Sequence, residues 1–370
     1  MTPDGRIRAG FVGGGFMAEV HSRAAVAARA QLAGVVSSTT ETSATTARRL
    51  GFERAYGSVE ELLADASIDV VHIVAPNATH FPVADAAIAA GKHVICEKPL
   101  TTNLDDATTL VTAIEASGLR GSVPFVYRYH PMVREARARV LRGETGRLLS
   151  ISGSYLQDWL VDPAEDDWRV DEGRGGPSRA FADIGSHLAD LVEFVTDERI
   201  ERVQAVMRIA FDTRTPGREV TTEDLAAVLI ETSGGAIGTL LVSQVAPGRK
   251  NRLHLEISGT AESISFDQEN PETLWIGRSR GSELLTRGPE LSPDAARLAV
   301  LPPGHPLGYQ DAFNAFVADS YAAVNGAEPE GLPTFRDGSR AVAITEAVLA
   351  SADSGGWTAP RAKETSHITS

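Results

Sequence analysis

Short, nearly continuous apolar runs recur through the first third of the chain, at Ile7–Val12, Leu32–Val36, Asp69–Ala75 and Lys92–Cys96. Such runs are the pattern of strands covered on both faces. Between them, Met17–Arg29, Thr45–Leu50, Val59–Ala64, Thr79–Ala90 and Leu104–Ser117 carry helical spacing. Gly51, Gly91 and Gly118 stand where helices close with a left-handed residue. Strand–helix alternation joined by right-handed crossovers predicts an α/β fold with a doubly wound parallel sheet of the Rossmann kind.

The rhythm changes near Val123–Pro131. Longer runs of alternating polarity follow at Leu148–Leu156, Ile200–Phe211, Leu225–Glu231, Ala236–Val245, Arg252–Gly259 and Ser263–Asp267. Turns such as Ser233-Gly234-Gly235 and Gly259-Thr260-Ala261 join several of them, which predicts an α+β domain with a large open, mostly antiparallel sheet. Helices are expected at Phe181–Thr196, Tyr309–Asn325 and Asp337–Ser351, and residues 277–306, rich in Gly, Pro and charge, read as an irregular loop. A chain of 370 residues exceeds one ordinary core. The expected division is 1–124 and 125–370.

Composition narrows the possible partners. A net charge of -14 disfavours nucleic acid and anionic membranes, and no run approaches the ~18 apolar residues of a membrane span. The start of the chain lacks an apolar signal segment, and Cys96 is the lone cysteine, so a cytoplasmic protein is expected. The histidines are scattered, with no HxxxH spacing or cysteine pair, and no metal site is expected.

Gly13-Gly14-Gly15-Phe16-Met17-Ala18 follows the first strand and opens a helix, the context that a dinucleotide fingerprint requires. Gly13 allows the tight turn, Gly15 lets the backbone approach a pyrophosphate, and Ala18 sits where helix and strand pack closely. An acid at the end of the second strand would favour NAD, but Ser37-Ser38-Thr39 occupies that place. The nearest acid is Glu41, while Arg48 and Arg49 lie on the following helix, so NAD and NADP both stand, with a lean toward tolerance of NADP. Ala75-Pro76-Asn77 ends another strand at the same ligand-binding edge. There Asn77 is either a cofactor contact or a helix cap, and His80 either a contact or a surface residue.

Val94-Ile95-Cys96-Glu97-Lys98-Pro99-Leu100 then delivers two charges to that edge. GxGxxA, APNxxH and EKP in this order resemble the Gfo/Idh/MocA oxidoreductase family, and the resemblance spans the whole chain. It implies that Lys98 lies beside the nicotinamide and the reacting hydroxyl and that Glu97 contacts the cofactor ribose. Asn77 and His80 would flank the nicotinamide, and Arg128 of Tyr127-Arg128-Tyr129-His130-Pro131 would approach the cofactor. The cofactor set is then Gly13, Gly15, Phe16, Met17, Ser37, Ser38, Ala75, Asn77, His80, Glu97, Lys98 and Arg128.

Asp183 and His187, four apart on one helical face, match the family's D-x-x-x-H substrate motif. A histidine can take or give the proton of a secondary alcohol, Asp183 can orient it or bond a neighbouring hydroxyl, and Lys98 can stabilise alkoxide charge or itself take the proton. His187 and Lys98 thus both stand as the proton acceptor. Tyr155, Gln157, Trp168 and Arg169 join Lys98, Asp183 and His187 as substrate contacts, because polyhydroxylated ligands need aromatic faces and paired polar groups. Trp159 shares that stretch, the alternative being that Trp159 and Trp168 fill core or a subunit interface, and Tyr309 and His305 are weaker candidates or structural. The resemblance implies an NAD(P)-dependent dehydrogenase of a sugar, anhydrosugar or cyclitol, assembled as a homodimer or homotetramer. The alternatives are an NADPH-dependent keto-sugar reductase and a non-catalytic nucleotide sensor, the latter disfavoured by the presence of Lys98, Asp183 and His187.

Overall fold

The computed structural model describes residues 6–165, 167–214 and 217–361. They form two compact units. The first takes residues 6–126 together with Tyr309–Ser339, and the second takes Tyr127–Gly308 and residues 340–361. The sequence placed everything from residue 125 onward in the second domain, and the segment Tyr309–Ser339 departs from that division.

The first unit holds a wholly parallel sheet of β1 (Arg8–Val12), β2 (Gln31–Val36), β3 (Arg54–Ala55), β4 (Val70–Ile73), β5 (His93–Cys96) and β6 (Gly121–Ser122). Their order is β3-β2-β1-β4-β5-β6, the doubly wound arrangement. Parallel strands bring every carboxyl end to one edge, so the residues after β1, β2, β4 and β5 gather there. The helix Tyr309–Val324 belongs here because its apolar side, with Phe313, Phe316 and Val317, is buried in this unit. Phe313 packs 5.0 Å from the His21 ring, and Gln310 donates to the Val20 carbonyl.

The second unit is built on β7 (Leu148–Leu156), β8 (Ile200–Arg208), β11 (Leu225–Thr232), β12 (Ile237–Ser243), β13 (Arg252–Gly259), β14 (Ser263–Asp267), β15 (Thr273–Arg278) and β16 (Gly281–Thr286). A separate two-stranded ribbon pairs β9 (Thr213–Arg214) with β10 (Arg218–Glu219). The large sheet runs β16-β15-β14-β13-β7-β12-β11-β8, and its pairs are antiparallel except β7 with β12. Helix Ser186–Thr196 covers the inner face, where a Cβ at Gly153 would lie 3.1 Å from Leu188.

Residues 277–306 are not the irregular loop expected. They hold the end of β15, the edge strand β16 and the helix Pro293–Leu298. An edge strand exposed on both faces, as β16 is, has no alternation to betray it. The helix expected at Thr45 begins instead at Thr40, because Thr39 and Thr42 form a reciprocal capping box.

Candidate active site

In the first unit the turn after β1 is shaped by its glycines. Gly13 has φ +116°, and a Cβ there would strike the Val74 carbonyl oxygen at 2.5 Å. A Cβ on Gly14 would meet Thr46 Oγ1 at 2.6 Å and Ser37 Oγ at 2.9 Å, whereas Gly15 faces open space. Gly15 caps the helix Phe16–Ala27 without any side-chain hydrogen bond. Phe16 is exposed, Met17 half-buried and Ala18 fully buried. Ser37 binds Ser43 through its amide and Ser38 is exposed. Arg49, set aside in the sequence reading, reaches back to this turn: it donates to the Gly14 carbonyl at 2.8 Å and pairs with Glu19.

The same edge carries the ends of β4 and β5. Ala75 and Asn77 are half-buried, and Asn77 opens a single 3₁₀ turn ahead of the helix His80–Ala89. His80 is fully buried rather than a surface residue: Nδ1 faces the Pro99 carbonyl at 2.7 Å and Nε2 the Ala75 carbonyl at 2.9 Å. Burial lowers its pKa, against the opposing pull of those two carbonyls. The ring thus ties the end of β4 to the turn that carries Lys98. Lys98 is half-buried, precedes a cis Pro99, and donates its amide to Glu97 Oε2 at 3.1 Å.

Glu97 is buried, and its Oε1 lies 3.0 Å from His21 Nε2. From His21 a buried chain continues through the His72 ring to the Tyr321 hydroxyl, at 3.0 and 2.8 Å. Burial, with His21 alongside, holds His72 well below its ordinary pKa, and burial raises Tyr321.

In the second unit the sheet order builds the site. β7 and β12 are parallel, so Gln157 and Gln244 follow them at one end of the sheet; the antiparallel β13 begins beside it, directly after Asn251. Asn251 accepts from Tyr155 Oη and Gln157 Nε2, both at 2.8 Å, and donates to Tyr127 Oη at 3.1 Å. The Tyr127 and Tyr155 hydroxyls are hydrogen-bonded to each other, and Trp159 Nε1 donates to Gln157. Burial raises the Tyr127 pKa, partly offset by Tyr155 and Asn251.

The Tyr127 ring stands edge-on to His187 at 5.2 Å, with Tyr155 at 6.4 Å. His187 is buried in the first turn of Ser186–Thr196, and Asp183 lies in a π-helical turn, Phe181–Gly185, that leads into it. Gly185 makes that turn possible, since a Cβ there would lie 2.5 Å from the Phe181 ring. Asp183 accepts from Gln244 Nε2 at 2.8 Å and Arg169 Nε at 3.4 Å. Arg169 stacks over Trp168 at 4.5 Å; burial would lower its pKa, but Asp183 and Asp167 outweigh this and raise it.

Tyr155, Gln157, Trp159, Trp168, Arg169, Asp183 and His187 thus form one connected group. Arg128 is buried with its guanidinium on Asp190 and over the Phe194 ring. His305 is exposed, with its carbonyl held by Arg287, and Tyr309 stacks edge-on against Phe313 in the first unit. Gln244 and Asn251 were missed because isolated polar residues beside strand ends form no motif, and Tyr127, in the 3₁₀ turn Val126–Tyr129, was read only as a neighbour of Arg128.

Residues 7–125 match the description "Oxidoreductase family, NAD-binding Rossmann fold", and residues 133–265 match "GFO/IDH/MocA C-terminal domain". Levoglucosan dehydrogenase of Pseudarthrobacter phenanthrenivorans is 30% identical, over 95% of this chain and 97% of its own. The chain belongs to the Gfo/Idh/MocA oxidoreductase family. Glucose-6-phosphate 3-dehydrogenase of Bacillus subtilis is 25% identical over 91% of the chain and 94% of its own length. A solved structure of levoglucosan dehydrogenase with NADH and levoglucosan superposes with TM-score 0.90 at 30% identity, covering 96% of this chain and 99% of that one.

As in other Gfo/Idh/MocA proteins, the first unit carries the NAD-binding Rossmann domain, and its residues fit that cofactor. The turn at Gly13 excludes side chains, Gly15 is open, and the uncapped first turn of Phe16–Ala27 leaves N–H groups for an anion. Among the described residues no group of three or more His, Cys, Asp or Glu could hold a metal ion. No described helix is long and apolar enough to cross a membrane.

Proposed function

We propose that the chain transfers hydride between NAD(P) and a secondary alcohol or ketone of a sugar, anhydrosugar or cyclitol. The observation that carries this reading is the second-unit group: Asp183, clasped by Gln244 and Arg169, leads into His187 against two tyrosines. Such a set offers amide, hydroxyl and guanidinium partners for several adjacent hydroxyls and aromatic faces for C–H surfaces. Anhydrosugars head the list of substrates, since the levoglucosan enzyme covers the chain almost end to end.

When bound, the nicotinamide supplies the hydride acceptor or donor. The chain supplies the rest. Gly13, Gly15, Phe16, Met17, Ser37, Ser38, Ala75, Asn77 and Glu97 would hold the cofactor, with His80 fixing the turn under Lys98. Lys98 orients the alcohol and stabilises negative charge on its oxygen, and His187 moves the proton, steered by Asp183. Tyr155, Gln157, Trp168 and Arg169 recognise the neighbouring hydroxyls.

The enzyme is further proposed to be cytoplasmic and to work as a homodimer or homotetramer; exposed Val206, Leu229, Ile237 and Leu241 of the large sheet support the assembly. The test is nicotinamide absorbance with NAD and NADP across levoglucosan, L-sorbose, glucose 6-phosphate and inositols, in both directions. Turnover is expected with at least one, and Lys98→Ala should cut it by about 10³-fold while leaving cofactor affinity within a few-fold. Silence on the whole panel despite measurable cofactor binding would overturn the reading.

A further inference from the structure

Four of the charged side chains buried in the second unit are linked to one another, and none belongs to the chemistry above. Arg179 is 2% exposed, Arg214 0%, Glu223 3% and Asp224 0%. Two cations and two acids make the set neutral. Burying such a set seldom stabilises a protein more than apolar residues of the same volume would. What it supplies is geometry, and its hydrogen bonds lead to the site by three routes.

The first route is through Glu223. Its Oε1 accepts from Ser178 Oγ at 2.7 Å, Arg179 N at 3.1 Å and Phe181 N at 2.9 Å. Those donors stand at the start of the π-helical turn that carries Asp183, where backbone N–H groups lack partners within the helix. The second route is through Asp224. Its backbone carbonyl accepts from Gln244 N at 3.0 Å, and Gln244 Nε2 donates to Asp183. The Asp224 carboxylate meanwhile holds Arg179 and Arg214 together and accepts from the amides of Ala210 and Phe211. The third route is through Arg214, which donates to the carbonyls of Leu160 at 2.7 Å and Asp162 at 3.2 Å, beside Trp159.

The sheet order explains why one cluster serves all three. β11 is antiparallel to β12, so Glu223 and Asp224, just before β11, lie at the sheet end where Gln244 leaves β12.

We propose that Arg179, Arg214, Glu223 and Asp224 are positioning residues that fix the π-helical turn of Asp183 and the Trp159 segment in their working places. The inference rests on the reading that Asp183 and His187 meet the substrate. Hydrogen exchange of the full-length protein, read by mass spectrometry, is compared with kinetics for Glu223→Ala, Glu223→Gln and Gln244→Met. Glu223→Ala should raise exchange across residues 178–187 about tenfold, with the first-unit strands unchanged. It should lower kcat/KM about 30-fold while leaving cofactor affinity within twofold. Glu223→Gln, whose amide oxygen still accepts from Phe181 N, should recover most of both. Gln244→Met should raise KM more than it lowers kcat and move the pH–rate profile, because Asp183 loses a donor.

Unchanged exchange at 178–187 in Glu223→Ala, or unchanged KM and pH profile in Gln244→Met, overturns the proposal. Should Glu223→Ala fail to fold, exchange and kinetics of Gln244→Met decide. A wild-type enzyme silent on every substrate sinks the functional reading instead, and exchange still decides the positioning.

Discussion

Single side chains in this protein show how far burial alone governs chemistry. His130 is 1% exposed, stacks 5.9 Å from Tyr127, and its Nε2 meets no hydrogen-bond partner among the described residues. Burial pushes its pKa down to about 4. An unfolded chain binds that proton near pH 6.5, so it takes the proton before the folded protein does as pH falls. The stability contribution is therefore complete above about pH 6.5 and lost between there and pH 4, at most about 3 kcal/mol. His130→Phe should flatten this part of the acid sensitivity, as judged by urea unfolding at pH 7 and 4.5. Equal losses in parent and variant would refute the assignment. At this scale the sequence was informative about residue type and silent about surroundings. His80 read as a contact or a surface residue, yet both its ring nitrogens face carbonyls in the interior.

At the scale of elements, the glycine turn after β1 is where local sequence and local structure agree most closely. Gly13→Ala meets a positive φ and the Val74 carbonyl together, so the turn must open. The expected cost is about 1–3 kcal/mol of stability, with cofactor affinity reduced by more than about tenfold, measured by fluorescence titration and thermal melting. Cofactor binding at parental strength would show that the turn does not set the pyrophosphate site. Motifs of this kind were legible because each sits at the end of one apolar strand, and parallel pairing brings such ends together. The π-helical turn was not legible. Asp183 and His187 read as one helical face, whereas the turn between them is widened around Gly185 and held from outside by Glu223.

For the whole molecule, the outward side of the large sheet remains apolar in places. Leu229, Leu241, Val206, Ile237 and Trp275 are 45%, 44%, 55%, 62% and 38% exposed. Val206, Ala227 and Leu241 align across β8, β11 and β12 in one row. A net charge of -14 keeps such a chain dispersed, yet a row of this kind is what an assembly interface covers. Light scattering behind a sizing column should find a homodimer or homotetramer. Val206→Lys combined with Leu241→Lys should yield monomers with an unchanged fold by circular dichroism. A parent protein that is monomeric at all concentrations would rule out assembly through this face.

Periodicity and glycine placement, being local, determined the two architectures and the nucleotide turn, while Lys98 and Asp183 stood out only through the resemblance to the family. Long-range packing decided the rest. Tyr309–Ser339 joins the first unit because its apolar side finds a partner there, some 290 residues from Val20 along the chain. Gln244 and Asn251 enter the group only through strand order, since one parallel pair in a mostly antiparallel sheet sets which loop ends meet. No spacing in the chain encodes that choice, because strand pairing is settled by side chains packed across the sheet rather than along it.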